Sequence, residues 1–382
     1  MAFKEATKMT EREAMVRKWE SGNYTVTELA QEFGVTRPTV YLWLERSTAD
    51  GSMEDRPSTP LTCPHRTGVE ITQRIVEAKL TRPHWGPRKL IDKLKLDEPG
   101  TVWPAPSTAG RLLEARNLVK KRHRRRKIDN IRHATTTLGA DESGEMMTID
   151  HKGWFRLGNR QYCYPITIND PVSRFVYAID GAPSTAYEFA KATMERVFRE
   201  HGVPLFIGSD NGGPFCSTRT LAGLSRLSVW WISLGVTPVR IHPGCPWENG
   251  IHERMQKTLK AEATRPPSAT MKAQQVRLDS FRHEFNCERP HESLNGQLPI
   301  TRLKPCGRPY PKKLPLFEYP GHCEVRRVRS KGAIKWKGEF IFVSETLSGE
   351  NVALEEISDG IWSLRFCHIE LARMDERTKT LS

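Results

Sequence analysis

The hydrophobic period of the chain changes twice. Over the first 120 or so residues apolar positions recur every three to four, as in helices with one buried face. "TEREAMVRKWESG" carries Ala14, Met15 and Trp19 at helical spacing. "TVTELAQEFG" opens on a capping Thr27 and stops at Gly34, and "VTRPTVYLWLERS" opens on Thr36 with Pro38 in its first turn. This succession predicts a helix-turn-helix over residues 1–50. The Gly-, Pro-, Ser- and Thr-rich stretch 51–68 reads as a linker. The design then repeats in "VEITQRIVEAKLTRP", "WGPRKLIDKLK" and "PSTAGRLLEARNLV", a second helix-turn-helix domain over 69–128.

From Glu145 the period shortens to two. "MMTIDHKGWF", "RQYCYPITIND" and "RFVYAIDG" predict three successive strands, "TAYEFAKATMERVFREHG" an amphipathic helix, and "PLFIGSD" a short buried strand. "TRTLAGLSRLSVWWISLG" predicts a second helix and "TPVRIHP" a further strand. Three strands followed by alternating helix and strand imply a mixed α/β sheet, here assigned to 140–298 with its helical end. A Pro-rich linker follows at 299–320. Residues 321–375 alternate apolar and polar positions between Gly and Ser-Gly turns, which predicts a small antiparallel barrel or sandwich. The expected fold class is therefore multidomain: all-α helix-turn-helix modules, a central α/β core and a small C-terminal all-β domain.

Charge narrows the partner. Lys and Arg total 59 against 45 Asp and Glu, a net +14, which points to a polyanion and to nucleic acid before a membrane surface. In a helix-turn-helix the second helix enters the major groove by its N-terminal residues, here Arg37, Thr39 and Tyr41. The run "KKRHRRRK" (Lys120, Lys121, Arg122, His123, Arg124, Arg125, Arg126 and Lys127) repels itself and cannot pack, so it reads as a phosphate-binding arm. No stretch approaches the roughly 18 apolar residues of a membrane span. The first residues lack the apolar core of a signal peptide, and a cytoplasmic location is expected. The eight cysteines show no CxxC pair, and they read as reduced thiols and not as a zinc site or disulfide framework.

Against this positive background three carboxylates stand out. Asp150 ends the first strand, Asp210 ends the buried strand in "LFIGSDNGG", and Glu253 lies on a helix in "ENGIHERMQKTLK". Ligands collect near strand ends in α/β sheets. If the first and fourth strands are neighbours, the two aspartates sit side by side and repel unless a cation lies between them. Mg²⁺ or Mn²⁺ suits such oxygens, and two ions about 3.5–4 Å apart clamp the attacking and leaving oxygens of a phosphodiester displacement. Gly212 and Gly213 are expected to let backbone approach a phosphate. Singly, each acid has a plainer role: Asp150 in a solvated turn, Asp210 capping its own turn, Glu253 paired with Lys257. The three in this order point to metal-dependent chemistry on DNA. Lys257 and Lys260 follow Glu253 by four and seven positions, on one helical face, as phosphate contacts. Glu248, about 140° away on the same helix, is placed in the entry turn, which leaves Glu253 as the third ligand.

The stretches "TIDHKGWF", "SDNGGPF", "LSVWW", "HPGCPWENGIHERMQKTLKAE" and "NCERPHESLNGQLP" resemble the bacterial insertion-sequence transposases of the DDE integrase-core superfamily, which includes retroviral integrases. The likeness covers roughly residues 10–310. It implies an RNase H-like core, Asp150, Asp210 and Glu253 as catalytic metal ligands, and two Mg²⁺ ions. It also implies nicking at the element's terminal inverted repeats, attack of the freed 3′-hydroxyl on target DNA, a multimeric enzyme and a nucleoid-associated location. Two features depart from the family pattern. The 42 residues between Asp210 and Glu253 exceed the spacing that the resemblance implies, with "LSVWWISLG" read as the extra length. The paired His and Cys module that opens retroviral integrases is absent, and the helix-turn-helix units are expected to do its work. A catalytically silent DNA-binding regulator descended from such an enzyme is disfavoured by the presence of all three acids. A branched-DNA nuclease would need hydrolysis only and have no use for two helix-turn-helix units.

Overall fold

A computed structural model of the chain describes residues 7–49, 51–55, 66–119, 140–217, 220–241 and 250–382. It divides into two units, Met1–Arg66 and Thr67–Ser382. The first contains α1 (Lys8–Glu20), α2 (Val26–Glu32) and α3 (Arg37–Ala49) around Met15, Val16, Leu29, Val40 and Trp43. The cap of α2 is Thr25 and not the expected Thr27, because Glu28 stands three residues after Thr25 and completes a capping box. The Thr25 N–H donates to Glu28 Oε2 at 2.7 Å, and this bond holds the Glu28 carboxyl below its usual range. Trp19 is 41% exposed, so α1 buries Met15 and Val16 instead.

The second unit opens with α4 (Val69–Thr81), α5 (Pro87–Asp97) and α6 (Pro106–Glu114), closed on Ile75, Trp85, Leu90, Ile91 and Leu113. A mixed sheet follows, from β1 (Met146–His151), β2 (Phe155–Arg156), β3 (Tyr162–Asn169), β4 (Val176–Ala182), β5 (Phe206–Ser209) and β6 (Thr237–Arg240). β3 runs antiparallel to β1, β2 and β4, whereas β1 pairs with β5 and β5 with β6 in parallel. Side chains alternate along β1. Met147 and Ile149 join a core with Met194 and Phe198 of α7 (Tyr187–His201) and Leu227 and Trp231 of α8 (Arg226–Ser233). The opposite face carries α9 (Gly250–Glu262) and α10 (Met271–Cys287), whose Met255, Leu259, Leu278 and Phe281 pack on Val176 and Ile179 of β4. The short α11 (Pro299–Arg302) follows.

The α4–α6 bundle meets this core through polar contacts. Trp85 Nε1 donates to Glu284 at 3.0 Å, Arg82 pairs with Glu288 at 2.6 Å, and Arg88 pairs with Glu292. Buried Arg289 bonds Glu262 and Glu284, tying α9 to α10, and its guanidinium lies 5.3 Å from the Trp85 ring.

The segment expected as one long helix after Asp210 is, in its described part, a 3₁₀ turn at Leu221–Gly223 and then α8, which starts only at the Ser225 cap. α8 is buried from Leu227 to Ile232 because it is covered on two sides. Leu227, Trp230 and Trp231 enter the core of the sheet, while Val229 and Ile232, with Leu224, enter the core of the C-terminal part. That part comprises β7 (Glu324–Arg327), β8 (Ala333–Trp336), β9 (Glu339–Phe342), β10 (Asn351–Ser358), β11 (Ile361–Phe366) and β12 (Ile369–Asp375). A four-stranded sheet ordered β12-β11-β10-β7 and a β8–β9 hairpin enclose Trp336, Leu354, Leu364, Phe366 and Met374. The fold is thus the expected multidomain one, with helical modules, an α/β core and a sheet-rich C-terminal region. No helix among the described residues is long and apolar enough to cross a membrane.

Since Ile232 is buried in the C-terminal core, on a helix whose other side enters the core of the sheet, Ile232→Ala is expected to cost about 2–5 kcal/mol by urea unfolding, in the range of other buried truncations. A loss below about 0.5 kcal/mol, as at exposed sites, would mean that α8 is not wedged in this way.

Candidate active site

The parallel register of β1 and β5 sets Ile149 opposite Ser209, so Asp150 of β1 and Asp210, the first residue after β5, come next on neighbouring segments. Asp210 Oδ1 accepts from the Gly212 N–H at 3.1 Å, which fixes its turn. A Cβ on Gly212 would lie 3.1 Å from Asp210 Oδ2, whereas one on Gly213 would meet nothing within 4 Å. Neither glycine is in the left-handed region. Of the two glycines singled out in the sequence, only Gly212 leaves space that the carboxylate uses.

α9 lays two polar side chains against this end of the sheet. His252 and Gln256, one turn apart, are both buried. Thr167 lies opposite Asp150 in the β1–β3 pairing, and its hydroxyl donates to the Asp150 carbonyl at 3.0 Å. That uses its one proton, so Thr167 Oγ1 accepts from His252 Nε2 at 2.5 Å and from Gln256 Nε2 at 3.2 Å. His252 therefore carries its proton on Nε2, and its Nδ1 accepts from Thr148 Oγ1 at 3.1 Å, a shorter contact than the 3.4 Å from that hydroxyl to the Asn169 carbonyl. Gln256 Nε2 also donates to Asp150 Oδ2 at 3.1 Å. Burial pushes the His252 imidazole down to about 3, so it is neutral at ordinary pH.

Glu253, Lys257 and Lys260 lie on the exposed side of α9. Glu248 falls outside the described residues, as does the basic run Lys120 to Lys127. The ligand atoms of Asp150, Asp210 and Glu253 do not all come within 4.8 Å of one another. The group of three that does so among the described residues is His322, Cys323 and Glu355 in the C-terminal region. There Glu355 already accepts from His322 at 3.0 Å and from Arg365 at 3.2 Å. Carboxylates at two adjacent strand ends are hard oxygen donors of the kind that Mg²⁺ or Mn²⁺ takes, and the space over Gly212 keeps Asp210 Oδ2 uncrowded.

Two cations near this site had not been singled out from the sequence. Lys152 is held below the usual lysine range by partial burial, then by the charge of Lys260, while Asp150 opposes the shift and Arg265 adds to it. Lys152, Lys260 and Arg265 thus form a positive rim beside Asp150. The signal for Lys152 was its place two residues after the aspartate. Arg265 is brought in by the chain reversal between α9 and α10, which no local pattern announces. His151 stacks on Phe215 with 5.3 Å between ring centroids, and burial lowers its affinity for a proton. In the first unit, Arg37 and Tyr41 project from the first turns of α3 into solvent, while Thr39 is half-buried with its hydroxyl 2.9 Å from that of Thr36.

Residues 234–299 match the integrase core domain family, and residues 323–382 the C-terminal domain of IS481 family transposases. Residues 6–55 and 39–113 match two families of homeodomain-like domains. Over 106 residues, 27% of its length, the chain is 34% identical to the Pol polyprotein of Feline endogenous virus ECE1 and to the Gag-Pol polyprotein of Baboon endogenous virus (strain M7). It spans only 9% and 6% of those polyproteins. Among solved structures it is similar to the HTLV-2 integrase catalytic core domain in complex with magnesium, at 12% identity and a TM-score of 0.34, over 43% of this chain and 98% of that one. It is also similar to a chain of the simian T-cell lymphotropic virus intasome in complex with the PP2A regulatory subunit B56 gamma, at 16% identity and a TM-score of 0.36, over 76% of this chain and 96% of that one.

The two glycines separate the site from its surroundings. Gly212→Ala is expected to weaken Mn²⁺ binding, read from the electron paramagnetic resonance of the free ion, by about 10–100-fold, the range seen when a metal ligand's support is disturbed. Gly213→Ala should leave it unchanged. Equal affinities in both variants would mean that the Asp210 carboxylate holds no metal.

Proposed function

We propose that this chain, which belongs to the insertion-sequence transposases of the integrase-core superfamily, nicks the ends of a mobile DNA element and joins the freed 3′-hydroxyls to target DNA. The observation that carries the reading is the parallel register that ends at Ile149 and Ser209 and brings Asp150 and Asp210 to adjacent strand ends, beside the helix of Glu253. Asp150, Asp210 and Glu253 would hold two Mg²⁺ or Mn²⁺ ions, which supply Lewis-acid stabilisation of the attacking and leaving oxygens.

In the first step a water oxygen attacks the phosphorus at the element end, and the 3′-oxygen departs as a hydroxyl. In the second step that hydroxyl attacks a target phosphodiester, whose own 3′-oxygen departs. One P–O bond forms as one breaks, so joining needs no external energy source. The protein's part is to hold two DNA segments in line. Gln256 orients the Asp150 carboxylate, and the rim of Lys152, Lys260 and Arg265, with Lys257 beside it on α9, offsets phosphate charge. The helix-turn-helix units select the element ends, with Arg37, Thr39 and Tyr41 toward base edges and the Lys120 to Lys127 run on phosphates. Two ends must be held at once, and a multimer meets that need.

Asp210→Asn is expected to lower nicking and joining by at least about 100-fold while binding to the element end persists, since loss of focused electrostatic stabilisation is that costly. Joining at the wild-type rate would reject the assignment. For recognition, Arg37→Ala should cost about 1–3 kcal/mol at one base pair and little elsewhere, whereas Lys260→Ala should weaken all sequences alike and flatten the salt dependence. Equal losses on specific and random DNA for both variants would refute the division of labour.

A further inference from the structure

We propose that His252 is a positioning residue, the joint that sets where α9, and with it the Glu253 carboxylate, stands beside Asp150. The proposal rests on the reading of Asp150, Asp210 and Glu253 as metal ligands. Glu253 is exposed, so the backbone of α9 decides where its carboxylate can reach. Two kinds of contact hold that helix on the sheet. One is apolar: Met255 and Leu259 pack among Val176, Ile179, Leu278 and Phe281. Such packing is non-directional, and methionine is the most adaptable of apolar side chains. Both residues also lie after Glu253 in the chain.

The other kind is polar and begins at His252, immediately before Glu253. Its ring is bonded at both nitrogens, to Thr148 Oγ1 at 3.1 Å and to Thr167 Oγ1 at 2.5 Å. Thr148 lies on β1, two residues before Asp150, and Thr167 lies on β3, directly opposite Asp150. A planar ring held from two strands cannot slide along either without breaking a bond. Because Thr167 also donates to the Asp150 carbonyl, the strand of one acid and the helix of another share a single hydrogen-bonded joint. Gln256 repeats the attachment one turn later, on the Asp150 carboxylate itself. Metal-dependent chemistry requires its ligands within about 0.5 Å of the productive arrangement, which directional bonds enforce and apolar packing does not.

His252→Leu fills a similar space without the bonds. It is expected to weaken Mn²⁺ binding and to slow Mg²⁺-dependent strand transfer by about 10–100-fold each, with element-end binding unchanged. His252→Gln keeps a donor for Thr167 and should fall between wild type and His252→Leu. Thr148→Val removes the Nδ1 bond, together with the longer 3.4 Å contact from the same hydroxyl to the Asn169 carbonyl, and changes no residue of α9. It should lower Mn²⁺ affinity in the same direction, and its effect should disappear in the His252→Leu background. Wild-type Mn²⁺ affinity and strand transfer in His252→Leu would overturn the proposal. If His252→Leu fails to fold, Thr148→Val decides, and wild-type Mn²⁺ affinity in that variant overturns it. Asp210→Asn, tested alongside, keeps the two claims apart. An active Asp210→Asn rejects the metal-ligand reading, whereas an inactive one beside an unaffected His252→Leu rejects this inference alone.

Discussion

The parallel pairing of β1 with β5 is the constraint on which the rest depends. It sets Met147 beside Ile207 and Ile149 beside Ser209, and so delivers Asp150 and Asp210 to the same end of the sheet. Alternation along β1 does the remaining work. Met147 and Ile149 are buried against α7 and α8, which leaves Thr148 and Asp150 on the face that α9 covers. A slip of one residue would turn the aspartate into the apolar core and two core residues out of it, so burial enforces the register. Carboxylates at adjacent strand ends repel one another, and a cation between them would relieve that repulsion.

α9 resolves the opposite problem, that of polar groups within a packed interface. Unmatched, the His252 and Gln256 side chains would be costly to bury. Here each proton has a destination: Thr148 to His252, His252 to Thr167, Thr167 to the Asp150 carbonyl, and Gln256 to both Thr167 and Asp150. An apolar interface of equal volume would be as stable or more so. What the polar one adds is direction, and direction is what a metal site needs from its surroundings.

Much of this was legible in the sequence because the signals were local. Strand periodicity ending in Asp150 and Asp210, and the apolar recurrence of Met255 and Leu259, are read within a few residues. The misreadings have equally local causes. Thr25 and Thr27 both suit a helix cap, and only the partner Glu28 separates them. Trp19 lies at core spacing but stays exposed beside Val16. His252 was hidden in plain view. Next to the stripe of Ile251, Met255 and Leu259 it passes for one more helical residue, and its partners Thr148 and Thr167 lie 104 and 85 positions away. The two-sided burial of α8 depends on a C-terminal sheet that begins about ninety residues later, beyond the reach of any period.

On the proposed function, one end of the sheet, and no other part of the chain, gathers the divalent ion used on DNA. An anomalous difference map from crystals of the protein with an element end and Mn²⁺ tests it directly. Density is expected to contact Asp150 and Asp210, with Glu253 turned toward it, at the roughly 2.0–2.2 Å typical of carboxylate ligands to small divalent ions. Density confined to His322, Cys323 and Glu355, or none beside the two aspartates, would contradict it.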